Sequence, residues 1–382
     1  MQIIAILVAS AIPLVFLFVI YGLDLYKTGE FRSVILCFIW GGIAFGGAYY
    51  INPAVGKYLH LDWNTQVVRF SAPIVEEILK ALILVYLVRR PNFTYFVDGA
   101  IYGFAAGIGF AVFENIQYIT GAPNQAIGTA VSRVLSTNLM HASASAMVGI
   151  ALGLARFRRF SGRLALLIGG LVLAMGLHAF YNNFVTRVNT GMLLIFAAII
   201  GFSAAGFIAY AMNRGLQEEK TWIEETLGAA DRVTAGEAAV VHRLENVDDI
   251  LAPLAKSFGE EKAAKIQKFL VTQARLGIMR KTLEKLTDEK MLKAVEKQMG
   301  ELRKEMDVAR RDVGSYAMLY LRHIFPAEAS PLWGRLETLI QERAAARPAT
   351  GGPNLWATLQ KRAEKPAPAS EDQEAKPSDP TG

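Results

Sequence analysis

Seven stretches of this chain, each about 20 residues long, are apolar enough to cross roughly 30 Å of hydrocarbon as an α-helix, and all lie in its first 212 residues. They run over residues 1–23, 32–51, 67–88, 98–119, 128–155, 164–184 and 191–212. The expected fold is therefore all-α, a polytopic membrane helix bundle of about seven transmembrane helices. The first run lacks a basic leader and is too long for a signal core, so it reads as a retained anchor. The fifth is the longest, which predicts a tilted or broken span, with Arg133 near its start snorkelling outward.

Charge divides the chain in two. Hydrophobic residues make up 53% and mean hydropathy is positive, yet 19% of residues are charged. Only seven of the 34 acids fall in residues 1–212: Asp24, Glu30, Asp62, Glu76, Glu77, Asp98 and Glu114. This sets a transmembrane domain over 1–212 and a cytosolic helical domain over 213–346. In the latter, Leu270, Leu276 and Ile278 alternate at helical spacing with Lys281, Lys285 and Glu289. It carries no catalytic motif and is expected to engage a cytosolic partner or regulate the membrane part. From 347 to 382 Pro, Ala, Gly, Ser and Glu dominate without a core-forming pattern, so a disordered tail is expected. The net charge of +6 comes with arginines in short loops, where they serve topology and anionic lipid, so no nucleic-acid partner is expected. A single cysteine, Cys37, excludes an intrachain disulfide framework.

Those arginines also orient the bundle. Arg156, Arg158, Arg159 and Arg163 crowd between runs five and six, and Arg89 and Arg90 follow run three, which makes these loops cytoplasmic. The N-terminus is then outside and the C-terminal region cytoplasmic, in a multi-pass protein of the cell membrane. Small residues recur every fourth position at Gly99, Gly103, Gly107 and Ala111, and again at Gly149 and Gly153, a ridge for close helix packing.

Glu76, Glu77 and Glu114 sit inside apolar runs, where a charged side chain costs roughly 2.5–3.5 kcal/mol on insertion scales. Lys80 shares a helix face with Glu76 and lies three residues from Glu77, so its ammonium can sit between the two carboxylates. Two adjacent acids at low dielectric titrate jointly and suit general-base work on water. Pro73 just before them can kink the helix open. His178 and Asn182 share a face and can place an imidazole and an amide beside one oxyanion, while His141 stands alone among Ala and Ser. The seven candidate catalytic residues are therefore Glu76, Glu77, Lys80, Glu114, His141, His178 and Asn182. No cofactor and no metal are expected, although His141, His178 and Glu114 are of the right type for three zinc ligands. The chain has no His-Glu-x-x-His helix and no Gly-x-Ser-x-Gly elbow. The competing class is a proton- or cation-coupled transporter using the same carboxylates, against which stand the missing duplicated half and the His-x-x-x-Asn pair. A passive scaffold leaves the cost of burying these groups without a purpose.

In order, Glu76-Glu77-x-x-Lys80, Phe110-x-x-x-Glu114-Asn115, His141 and His178-x-x-x-Asn182 resemble the motifs of the PrsW family of intramembrane proteases, related to the CAAX prenyl endopeptidase superfamily. The resemblance covers roughly residues 65–185 with flanking spans. It implies a membrane-embedded peptidase of glutamic type in which Glu76 activates water and Glu77 with Lys80 is its electrostatic partner. Glu114, His141, His178 and Asn182 complete the site, the later His and Asn orienting the water or stabilising the oxyanion. Lys80 stands where the prenyl-endopeptidase branch has an Arg one residue later, and Glu114 where that branch has His, which points away from prenylated peptides. The implied substrate is a membrane-anchored protein, with site-1 cleavage of an anti-sigma factor as one class. Depth adds a location: nine residues inward from Val67 puts Glu76 roughly 14 Å into the bilayer from its outer face.

Overall fold

In the computed structural model the protein is helical, and the structure describes residues 1–185, 187, 190–227, 241, 252, 255, 256, 258–315, 317 and 318. The expected disordered tail over 347–382 lies outside the described residues, as does much of 213–346. Among the described residues five helical segments are long and apolar enough to cross a membrane: α1 (Gln2–Gly22), α2 (Phe31–Tyr58), α4 (Phe96–Gly121), the broken pair within Pro123–Ala155, and α7 (Phe160–Val185). The third apolar run differs from expectation. It opens as a π-helical segment, Trp63–Ser71, and only then becomes α3 (Ala72–Leu87), whose 16 residues include two acids and a lysine.

The π segment starts where Asp62 caps it, its carboxylate accepting from the Thr65 amide at 2.8 Å. Pro73 follows in the first turn of α3, where its missing N–H costs nothing. The π segment ends two residues ahead of Pro73. The long fifth run breaks into α5 (Ala126–Leu135) and α6 (Thr137–Ala155) at Ser136, whose hydroxyl lies 2.6 Å from the Ser132 carbonyl and 2.7 Å from the Tyr181 hydroxyl of α7.

α4 is the axis of the bundle, buried over nearly its whole length against α6 on one side and α2 on the other. The small-residue ridge explains this closeness. A Cβ added at Gly99, Gly103 or Gly107 would fall on the backbone of Gly149, Ser145 and Ala146, or His141 and Ala142. Glu114 and His141 are thereby carried on two helices that cannot slide apart.

The last apolar run continues without interruption past residue 213 as α8 (Thr190–Thr226). The compositional boundary thus falls inside a helix. Two further helices, α9 (Glu260–Lys285) and α10 (Glu289–Val313), form a hairpin whose core includes Phe269, Leu270, Leu276 and Ile278 against Val295, Leu302 and Met306. Trp222 of α8 packs on Tyr95 with ring centroids 4.4 Å apart, and Lys285 of α9 sits 4.0 Å over the Trp222 ring. The hairpin is therefore held against the end of the bundle that carries the arginine loops.

Beyond the apolar part of α8, Glu219 is fully buried with neither carboxylate oxygen hydrogen-bonded. Burial first, then the neighbouring Asp24, Asp98 and Glu218, hold its carboxyl well above the usual value of 4.5. An acid raised in the folded state binds protons more tightly folded than unfolded, so its contribution is present at low pH and is lost as pH rises above about 4.5. Glu219→Gln should therefore stabilise the protein at pH 8, by about 1–3 kcal/mol for one unsatisfied buried group, and the gain should shrink towards pH 4.5. Thermal unfolding in detergent at the two pH values checks this.

Candidate active site

All seven candidate residues come together where α3, α4, α6 and α7 meet. On α3, the Lys80 ammonium donates to Glu77 Oε1 at 2.6 Å, both side chains being fully buried. It donates also to His141 Nδ1 of α6 at 3.0 Å and lies 4.8 Å above the Phe110 ring. Since Nδ1 accepts, the proton of His141 is on Nε2, which faces Glu114 Oε2 of α4 at 3.1 Å. His178 of α7 turns Nδ1 towards Glu77 Oε1 at 2.9 Å, and its Nε2 lies 3.7 Å from Glu76 Oε2. The two imidazoles meet edge to face with centroids 4.6 Å apart.

Two expectations are corrected. Lys80 does not bridge Glu76 and Glu77: the i,i+3 partner Glu77 takes it, because His141 offers a second acceptor on that side. Arg133 does not snorkel outward. It turns inward from α5, donating through Nη2 to Glu114 Oε2 at 2.5 Å and through Nε to Asn115 Oδ1 at 2.6 Å, with the guanidinium 3.9 Å over the Tyr118 ring. A desolvated carboxylate attracts it more strongly than the bilayer surface does.

Charge balance then singles out one acid. Glu77 is matched by Lys80 and Glu114 by Arg133, while among the described residues no lysine or arginine lies within ion-pair distance of Glu76. Its Oε1 accepts from Asn52 Nδ2 of α2 at 3.0 Å, and its Oε2 has no hydrogen-bond partner. Glu76 lines a cavity of about 460 Å³, shared with Glu114, Asn52, Asn182 and the rings of Phe45 and Trp63. Asn182, four residues beyond His178, donates to the Val68 carbonyl at 2.8 Å and so ties α7 to the π segment. Asn52 was missed in the sequence because it falls one residue beyond the run ending at 51; a polar amide at the edge of an apolar run, followed by Pro53, is the signal that marks it.

Glu76, His141 and His178 each bring a possible metal-ligand atom within 4.8 Å of the others, so Glu76 replaces Glu114 in the trio that residue types alone suggested. Glu114 Oε2 is already engaged by Arg133 and His141. The donor chemistry does not complete a three-ligand centre. Of these three residues only Glu76 and the Nε2 of His178 offer unengaged lone pairs, whereas both nitrogens of His141 are bonded and the Lys80 ammonium lies against its Nδ1; the unpaired Glu77 Oε2 nearby belongs to a carboxylate already held by Lys80 and His178. A divalent ion there would have to displace or face that buried cation.

A helix bundle with apolar spans closed around an acid, imidazole and amine cluster defines a membrane protein with a buried polar cluster. Residues 29–205, which contain all seven residues, match the family model described as PrsW family intramembrane metalloprotease. Protease PrsW of Bacillus subtilis (strain 168) is 33% identical over 120 residues, covering 31% of this chain and 54% of that protein. The chain thus spans about half the length of the curated relative it matches. These two findings support the PrsW family for this chain. No solved structure matches it.

Proposed function

We propose that this protein is an intramembrane protease of glutamic type, kin to the CAAX prenyl endopeptidase superfamily, which hydrolyses a peptide bond of a membrane-anchored protein. The observation that supports this most strongly is Glu76. It is a buried carboxylate without a lysine or arginine partner among the described residues, held by Asn52, lining a cavity and with its Oε2 3.7 Å from His178 Nε2. In the proposed reaction a water between Glu76 Oε2 and His178 Nε2 gives a proton to Glu76. Its oxygen bonds to the scissile carbonyl carbon, and the carbonyl electrons move to the oxygen. When the oxyanion collapses, the C–N bond breaks and the leaving amine takes the proton back from Glu76. Glu77 fixes the His178 tautomer through Nδ1, Lys80 balances Glu77, and Asn182 at the cavity wall is assigned to the oxyanion. Glu114, neutralised by Arg133, positions His141.

The proposed topology has seven spans, the N-terminus outside and the α9–α10 hairpin cytoplasmic. The cavity lies at the ends of α2 and α4 and the start of α3, where exposed Tyr50, Trp63 and Tyr118 mark an interfacial belt. The arginine loops are at the other end. The positive-inside bias therefore favours an outward-opening site and cleavage of site-1 type, for which an anti-sigma factor is a fitting substrate class. Purified protein in liposomes should cleave a single-span reporter and pass no protons or cations; ion flux without cleavage would overturn the reading. Strong chelation should leave the rate unchanged, because the proposed water is activated by a carboxylate. Loss of activity restored by zinc would assign Glu76, His141 and His178 to a metal instead.

A further inference from the structure

At the end of the bundle remote from Glu76, a cavity of about 520 Å³ opens between the end of α3, the end of α6, the start of α7 and the α9–α10 turn. Its walls are aliphatic, with Val85, Val88, Leu152, Leu164 and Leu167 from the membrane helices and Leu286 and Met291 from the hairpin. Three arginines line the same space: Arg89, Arg156 and Arg163. The single acid there, Asp288, spends its carboxylate capping α10, accepting from the Met291 amide at 2.9 Å.

Arg156 is the informative residue. Only 5% of it is exposed, and its Nη1 donates to the Val88 and Arg90 carbonyls at 2.6 and 3.0 Å. Its Nε and Nη2 are buried with no hydrogen-bond partner among the described residues. A guanidinium presents a planar fork of donors matched to the oxygens of a phosphate or carboxylate, and leaving such donors unpaired in a dry site is costly. Burial accordingly lowers its pKa to about 10, so an incoming anion would be favoured. A soluble anion would explain the arginines but not the aliphatic walls. One ligand chemistry satisfies both, a phosphodiester carrying acyl chains.

We propose that this cavity is a binding site for an anionic phospholipid, with the phosphate on Arg156 and Arg163 and an acyl chain along Val85, Leu164 and Leu167. The site needs the bundle to sit in a bilayer but does not depend on the proteolytic reading. The lipid would bridge the end of α3, the helix that carries Glu76 and Glu77, to the first turn of α10, and so hold the soluble hairpin on the membrane part.

The full chain, purified from membranes and exchanged into bilayers of neutral phosphatidylcholine with or without phosphatidylglycerol, provides the test. Native mass spectrometry should show one tightly retained phosphatidylglycerol per chain, and the thermal midpoint should rise with phosphatidylglycerol but not with inorganic phosphate. Arg163→Gln and Leu164→Trp should each reduce retention at least tenfold, the first by removing charge and the second by filling the acyl slot. Arg156→Gln should do the same where it folds, and Arg163→Gln keeps the test open where it does not. Equal retention of the two lipids, or retention unchanged in both Arg163→Gln and Leu164→Trp, would overturn the proposal. A stabilisation reproduced by inorganic phosphate alone would reduce the site to an anion site and overturn the lipid assignment.

Discussion

Glu76→Gln is expected to lower peptide-bond cleavage by about 10²–10⁴-fold, the range attributable to a positioned general base, while leaving the protein folded and inserted. The amide retains the volume of the carboxylate and still presents an oxygen to Asn52 Nδ2, so the packing of α2 on α3 is undisturbed. It cannot accept a proton from water. Of the three acids in the cluster, Glu76 is the one without a lysine or arginine partner among the described residues, so its neutralisation leaves no charge stranded. Glu114→Gln removes the charge that pairs with the buried Arg133 and should cost stability as well as activity. Comparing cleavage rates with thermal midpoints separates the two. Substantial turnover in Glu76→Gln would move the base to another carboxylate.

Gly107→Leu should produce the largest loss of folded protein. The new Cβ would fall on the His141 carbonyl and within 2.6 Å of the Ala142 Cα, both backbone atoms of α6 that no rotamer change can move. Overpacking typically costs about 1–3 kcal/mol, and a collision with helix backbone belongs at or beyond the top of that range. The displaced helix is the one that carries His141, so any protein that survives should be inactive. Gly176→Leu on α7 is the control: nothing lies within 4 Å of its Cβ, and it should leave both yield and activity unchanged. Fluorescence-detected size exclusion of the two variants reads the difference. Equal behaviour would mean that the α4–α6 contact does not set the position of His141.

The contrast between Glu76 and Arg133 shows how far the sequence carries. Acids inside apolar runs are legible because burial without purpose is costly, and helical spacing places His178 and Asn182 on one face. Spacing alone, however, allows Lys80 to reach either Glu76 or Glu77. The choice is made by His141, 61 residues away. Arg133 lay near a run boundary where an outward direction is the default, and only the tertiary proximity of Glu114 reverses it. The π turn before Pro73 has no compositional signature, since it reflects tethering by Asp62 and Asn182 rather than propensity. The break of the long fifth run was foreshadowed by its length, exceeding what one helix needs to cross the hydrocarbon. Past residue 213 the charge content rises while the helix continues, because backbone hydrogen bonding is indifferent to side-chain polarity.

The most direct test of the account is the position of the cut. A single-span substrate incubated in liposomes with wild-type protein or Glu76→Gln, followed by mass spectrometry of both fragments, reports the scissile bond. One Glu76-dependent cut close to the extracytoplasmic boundary of the substrate's span is expected. A cut on the cytosolic side, or the same cut made by Glu76→Gln, would contradict it.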